Sequence, residues 1–245
     1  MKYALILLVL LTGCAHNAPT QQSTQAASNS AKVHTELAGL YFERAQMGIA
    51  LSEVDLALQA DKNYAPAYHV RGLIHMTLRE DVAAEQDFLQ SLRLDKSDSE
   101  AHNNFGWFLC QRGRELESIP QFMAALKNPL YTTPERAYLN AGLCFQKAGK
   151  NADAEEFLRR ALVVQPDMLQ ALQALAELKF AEGDYLSAKK FIAAQKNENL
   201  TAGQLLLAVR VERRLRNANA EASYAMQLRQ RFPDSREAQL LIRGE

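Results

Sequence analysis

A small residue returns along this chain at a nearly constant interval, at Ala38, Gly72, Gly106, Gly142 and Ala176, with Arg210 closing the series. A second small residue follows each of these twelve positions later, at Ala50, Ala84, Ser118, Ala154, Ala188 and Ala222. Both columns advance by 34, 34, 36, 34 and 34 residues. Two columns that slip together, once and by the same two residues, mark a real repeat with one loop insertion between Ser118 and Ala154. Such a chain has little choice of architecture, because each unit is one supersecondary element that must stack on its neighbours to bury its apolar face.

The period and the small residues point to helical hairpins. Two antiparallel helices approach closely where each offers a side chain no larger than Ala, so Gly72 with Ala84, Gly106 with Ser118 and Gly142 with Ala154 are the expected contact points. Gly113, Gly149, Gly183 and Asn217 share one repeat position between the two columns, where a left-handed residue ends a first helix at little cost. A 34-residue helix-turn-helix unit is the tetratricopeptide repeat. The expected fold is therefore an all-α superhelix of six units, at about 31–64, 65–98, 99–132, 135–168, 169–202 and 203–236, with a capping segment over 237–242. An irregular helical bundle is the alternative. The two extra residues fall in the connection Asn128 to Pro134, and Pro120 in a second helix is tolerable only near the start of that helix, where amide groups lack internal partners. Arg210 stands where a small residue should face Ala222. Either a loosely packed last unit lets the guanidinium reach solvent, or it pairs with a carboxylate such as Glu177.

The front of the chain has another character. Lys2 precedes nine apolar or aromatic positions, Tyr3 to Leu11, and then Leu11-Thr12-Gly13-Cys14. Nine is far below the ~20 residues of a membrane-spanning helix and suits the core of a secretion signal. The tetrapeptide resembles a bacterial lipobox, which implies removal of residues 1–13 and acylation of Cys14; a simple cleaved signal is the alternative. Ala15 in place of aspartate favours sorting to the outer membrane. Residues 14–31, rich in Ala, Ser, Thr, Gln and Asn without an apolar period, read as a flexible tether that spans roughly 20 to 25 Å as a coil.

Chemistry is sparse. The 28 basic and 28 acidic side chains cancel, and no basic stripe supports binding to nucleic acid. His16, His34, His69, His75 and His102 do not fall at metal-ligand spacing, and no nucleophile elbow, phosphate loop or zinc spacing occurs. Neither an enzyme nor a cofactor or metal protein is expected. Cys110 and Cys144 sit late in the first helices of adjacent units and, in an oxidising compartment, are expected to form a disulfide that staples those units, with two buried thiols as the alternative. A redox-active pair is the third reading, weakened because redox cysteines are usually close in sequence and exposed at a helix start.

Binding remains, and the repeat says where. In a superhelix of this kind positions 2, 5, 9, 12 and 13 of each first helix point into the inner groove. These are Pro66, His69, Leu73, Met76 and Thr77 in unit two, then Glu100, Asn103, Trp107, Cys110 and Gln111, then Arg136, Leu139, Leu143, Gln146 and Lys147. Such a lining suits an extended peptide or amphipathic helix. Trp107 is either the hot spot or packed core. Asn103 is either a clamp for a peptide backbone or a solvated amide.

Ala101 to Gln111, then Asn128-Pro129-Leu130-Tyr131, Pro134-Glu135 and Asn140 to Cys144, resemble the type IV pilus biogenesis lipoproteins of the PilF/PilW family. So do Leu205-Leu206-Leu207, Arg210 and Ala222-Ser223-Tyr224 in the last unit. With the lipobox, the resemblance covers nearly the whole chain. It implies a monomeric pilotin, lipid-anchored in the outer membrane and facing the periplasm, that binds type IV pilus secretin subunits and supports their assembly into the multimeric pore. A general envelope scaffold, such as one serving outer-membrane β-barrel assembly, shares the anchor and repeats and is the rival expectation.

Overall fold

The computed structural model describes residues 21–195 and 200–244. Among them are thirteen α-helices and no strand. Six antiparallel pairs follow one another, α1 (Gln21–Glu43) with α2 (Met47–Ala60), α3 (Ala65–Leu78) with α4 (Asp81–Leu94), α5 (Ser99–Gln111) with α6 (Glu115–Lys127), α7 (Pro134–Lys147) with α8 (Asn151–Val164), α9 (Leu169–Ala181) with α10 (Tyr185–Ala193) and α11 (Ala202–Arg214) with α12 (Ala218–Arg231). A short α13 (Arg236–Ile242) closes the series. The chain is an all-α tetratricopeptide-repeat array. The connection between α6 and α7 covers 128–133, six residues, whereas 61–64, 95–98 and 165–168 have four each. No described helix is long and apolar enough to cross a membrane.

Local chemistry sets the helix ends. The side chains of Asp98, Asp184 and Ser235 accept from the amides of Ala101, Ser187 and Ala238, and Thr201 with Gln204 forms a full capping box. Each satisfies an amide that the first helical turn leaves without a partner. Positive φ recurs at Ala45, Arg79, Gly113, Gly149 and Gly183, one residue before the second helix of each of the first five units begins to be capped. In unit six the left-handed residue is Arg216, not Asn217. Asn217 instead caps α12, accepting from the amide of Ala220. The turn 215–217 keeps the three residues of 112–114, 148–150 and 182–184. Both helices of unit six instead start 33 residues after those of unit five, so the whole hairpin comes one residue early and Val209, fully buried, takes the place expected of residue 210. Ala222, expected in the core, is exposed, and Ala225 and Leu228 take the buried face.

The glycines are needed for packing, though against different partners from those expected. A Cβ on Gly72, Gly106 or Gly142 would stand 3.1, 2.9 or 2.7 Å from Phe88, Phe122 or Leu158 of the same unit. In the second column the Ser118 hydroxyl lies 2.9 Å from Sγ of Cys144 in α7, in the following unit, while Ala84 and Ala154 sit in clusters drawn from both their own first helix and the next one. A second helix is wedged between two first helices, so its large residues fill the hairpin and its small ones let both neighbours approach. Phe88, Phe122 and Leu158 are fully buried, each contributing about 1.5–3 kcal/mol by leaving water.

The tether expected over 14–31 is corrected from Gln21 onward, where the chain is already α-helical. The glutamines, serines and alanines of 21–30 are adequate helix formers. Once Ala31, Thr35 and Ala38 are buried on the first hairpin, the helix nucleus exists, and adding turns to it needs no new nucleation. The signal segment and Cys14 lie outside the described residues. At the far end, Ala238 and Leu241 of α13 cover Leu205, Leu206, Val209, Ala225 and Leu228.

Candidate partner-binding groove

The first helices run side by side, and a cavity of about 320 Å³ opens between α3 and α5, lined by Met76, Thr77, Arg79, Trp107, Gln111 and Arg112. Helical spacing places Trp107 four residues before Gln111, on one face of α5. The indole is half-buried, packed on the cluster of Cys110, Phe122, Cys144 and Phe145 with its remaining surface on the cavity. Arg112 lines the same cavity and is held in place, since one guanidinium nitrogen sits 2.7 Å from Asp81 Oδ1 and donates at 3.3 Å to the carbonyl of Met76, while the group lies 5.3 Å from the Phe108 ring centre. A rigid aromatic face beside aliphatic, amide and cationic groups can take an apolar side chain of a partner and hydrogen-bond its backbone.

Of the residues expected in the groove, Met76, Trp107 and Gln111 come together here. Leu73 and Leu143 are partly buried against the clusters that contain Phe88 and Leu158, and Gln146 is half-buried. Three expectations are corrected. Leu139 is core. His69 is buried, with Nε2 2.9 Å from Nδ2 of Asn104, and burial lowers its pKa, opposed in part by the charges of Asp98 and Glu100. Asn103 has no exposed surface, and its Oδ1 accepts from Nδ2 of Asn140 at 3.0 Å. Neither residue can clamp a peptide. Both instead join neighbouring first helices, since the pairs His69 with Asn104 and Asn103 with Asn140 cross from unit to unit. Repeat position alone cannot show this, because whether position 5 is open or covered depends on the neighbouring first helix: His69, Asn103 and Leu139 are all buried there, while Pro66 and Arg136 at position 2 are exposed.

Arg136 lies elsewhere, at the long 128–133 connection. There Glu100 accepts from the Tyr131 hydroxyl at 2.8 Å, the Thr133 hydroxyl at 3.2 Å and Arg136 at 3.3 Å. This carboxylate organises the inserted loop. Burial is the first cause, and Glu100 a further one, of the raised pKa of Tyr131, which stays protonated. Arg79 and Arg112 were not singled out by the repeat pattern, because they lie just beyond the helical positions that it indexes.

Cys110 and Cys144 are joined in a disulfide, with Cα atoms 5.9 Å apart, linking α5 to α7. Both are at most 1% exposed. No group of three or more His, Cys, Asp or Glu among the described residues could hold a metal ion.

A tetratricopeptide repeat profile matches residues 135–168, the fourth unit. The type IV pilus assembly protein PilF of Pseudomonas aeruginosa is 25% identical over 239 residues, covering 96% of this chain and 94% of that protein. The crystal structure of PilW, described as a widely conserved type IV pilus biogenesis factor, superposes with a TM-score of 0.80 at 34% identity over 86% of this chain and 98% of its own. The structure of Pseudomonas aeruginosa PilF gives 0.82 at 24% identity over 90% and 100%, a likeness of fold.

Proposed function

The chain belongs to the PilF/PilW family of tetratricopeptide-repeat proteins of type IV pilus biogenesis, and from that premise we propose that it is a pilotin for the type IV pilus secretin. It is a scaffold and not an enzyme. In this reading Cys14 carries acyl chains that hold the protein in the outer membrane on its periplasmic side, where more than one chain suffices for a stable anchor. The groove recognises a segment of the secretin subunit. Lipid gives the address and the groove gives recognition, so that monomeric subunits gather at the membrane in which the pore must form.

The observation that carries the reading is Trp107, a half-buried aromatic with one face supported by core and the other on an open cavity. Binding energy in protein interfaces concentrates on such residues. The experiment places a photo-crosslinking amino acid at Trp107 and, separately, at exposed Glu156 on α8, in cells that make the secretin. Secretin captured from position 107 and not from 156 is the expected result. Capture from 156 alone would move the interface to the outer surface, and capture of β-barrel assembly components in place of secretin would favour the general envelope scaffold. Cys14→Ala should leave secretin multimers absent from the outer membrane.

A further inference from the structure

Three arginines of α11 meet where the array ends. Arg210, Arg213 and Arg214 line a cavity of about 390 Å³ together with Phe180 of α9 and Gly244, just past α13. No acidic side chain lines it. Arg213 is already engaged, its Nε 2.8 Å from Glu221 and Nη1 donating at 3.1 Å to the carbonyl of Gly244, and Arg214 lies 6.0 Å from the centre of the Tyr185 ring. Arg210 makes neither hydrogen bond nor ion pair among the described residues, although it is half-buried. Glu177, the carboxylate nearest in the repeat frame, accepts instead from Gln173 on its own helix.

A partly desolvated guanidinium without a counter-charge is costly to keep unless something supplies one. Val209 fills the place of the earlier small residues, and Arg210 falls one place on, where units two to five have Leu73, Trp107, Leu143 and Glu177, so the fold itself does not ask for an arginine. Phe180 and Arg213 are the twelfth residues of α9 and α11, the place that Met76 holds in α3 beside Trp107. The cavity thus opens on the face that carries the Trp107 cavity, three units further along.

We infer that this cavity is a carboxylate-binding site for a polypeptide. The planar fork of Arg210 takes a carboxylate through two parallel hydrogen bonds, Arg214 adds a second charge at the rim, and the Phe180 ring packs on the apolar part of the residue that bears it. The carboxylate is either the end of a chain or an Asp or Glu side chain. The inference uses the groove face of the proposed function but not the identity of the partner, so its test contains no secretin and can fail or succeed separately.

The test follows the arginine Nε–Hε signals of the full mature protein by NMR while three peptides are titrated, acetyl-Gly-Ser-Gly-Phe-Leu with a free terminus, the same peptide amidated, and acetyl-Gly-Glu-Gly-Phe-Leu amide. Saturable shifts at Arg210 and Arg214 are expected with the free acid and not with its amide. Equal shifts from the glutamate peptide would identify a site that also accepts side chains, and shifts from that peptide alone would assign it to side chains. Arg210→Gln should weaken whichever peptide binds at least tenfold with the melting temperature unchanged. If that variant loses stability, Arg214→Gln, at an exposed position, should weaken it severalfold. The inference is overturned if the neutral amide shifts the same signals equally, if no peptide does, or if both variants bind undiminished.

Discussion

The ring of Phe122 stands so close to Gly106 that a methyl group on the glycine would lie 2.9 Å from Cε1. The hairpin of unit three is therefore built around the missing side chain. Gly106→Ala gains up to about 1 kcal/mol of helix propensity but must displace a fully buried aromatic, and overpacking costs about 1–3 kcal/mol. Net destabilisation should show in urea unfolding. Gly142→Ala should be worse, because its close contacts include the backbone nitrogen of Leu158 at 3.1 Å, which cannot swing aside. Gly39→Ala is the control: nothing lies within 4 Å, so it should stabilise by about 0.5–1 kcal/mol.

Ala45 and Arg79 occupy the left-handed turn position with φ of 57° and 64°, where units three to five have glycine. A side chain there costs about 1 kcal/mol or more, offset in part by the entropy that glycine adds to the unfolded chain. Ala45→Gly and Arg79→Gly should each raise the melting temperature, additively, since they lie in different turns. A fall in either would refute the account of the turn.

The Cys110–Cys144 bridge closes a loop of 34 residues, for which the chain-entropy model gives about 4 kcal/mol. Replacing both cysteines with alanine should lower stability by up to that amount. Because both sulfurs are buried, mild reductant should leave the folded protein without a labelled thiol at either position, and labelling should appear only with denaturant. Rapid labelling of the native state would revive a redox role for the pair.

His69 predicts how stability varies with acidity. Its pKa is lowered by burial, so between its folded value and the ordinary value near 6.5 the unfolded chain binds a proton that the native chain does not. The contribution is complete above about pH 6.5 and is lost as the pH falls, by up to about 1.4 kcal/mol per pH unit. Denaturant midpoints from pH 7.5 to 5 should fall in the wild type and fall less in His69→Gln. A parallel decline in both would assign the effect to other groups.

The repeat was legible in the sequence because packing imposes it: Gly72, Gly106 and Gly142 each clear space for a large side chain sixteen residues on, and a rule enforced several times leaves a visible column. The insertion at 128–133 was legible for the same reason, as a shift common to both columns. What the columns could not reveal is which neighbour each residue meets. Ser118 looks like a partner of Gly106 but meets Cys144 of the following unit, since a second helix has two first helices beside it. Nor could position separate Asn103 from Trp107: both hold groove places, yet the amide is buried against Asn140 of the next first helix and the indole lies at an opening. In unit six the whole hairpin comes one residue early, which put Val209 in the place expected of residue 210 and left Ala222 outside, a slip that the two sequence columns do not record.

The helix α13 has a consequence for growth. A stack of like units can in principle be continued by any apolar surface of the right shape, including one on another molecule, and open-ended contacts of that kind propagate into filaments. By laying Ala238 and Leu241 over Leu205 and Leu228 while turning Arg236 and Gln239 outward, the seven residues of α13 cover much of the apolar surface on which the array would otherwise end. Where one more hairpin would need an apolar bed, the described end of the array presents charge and amide, with Ile242 the one large apolar side chain that α13 leaves exposed.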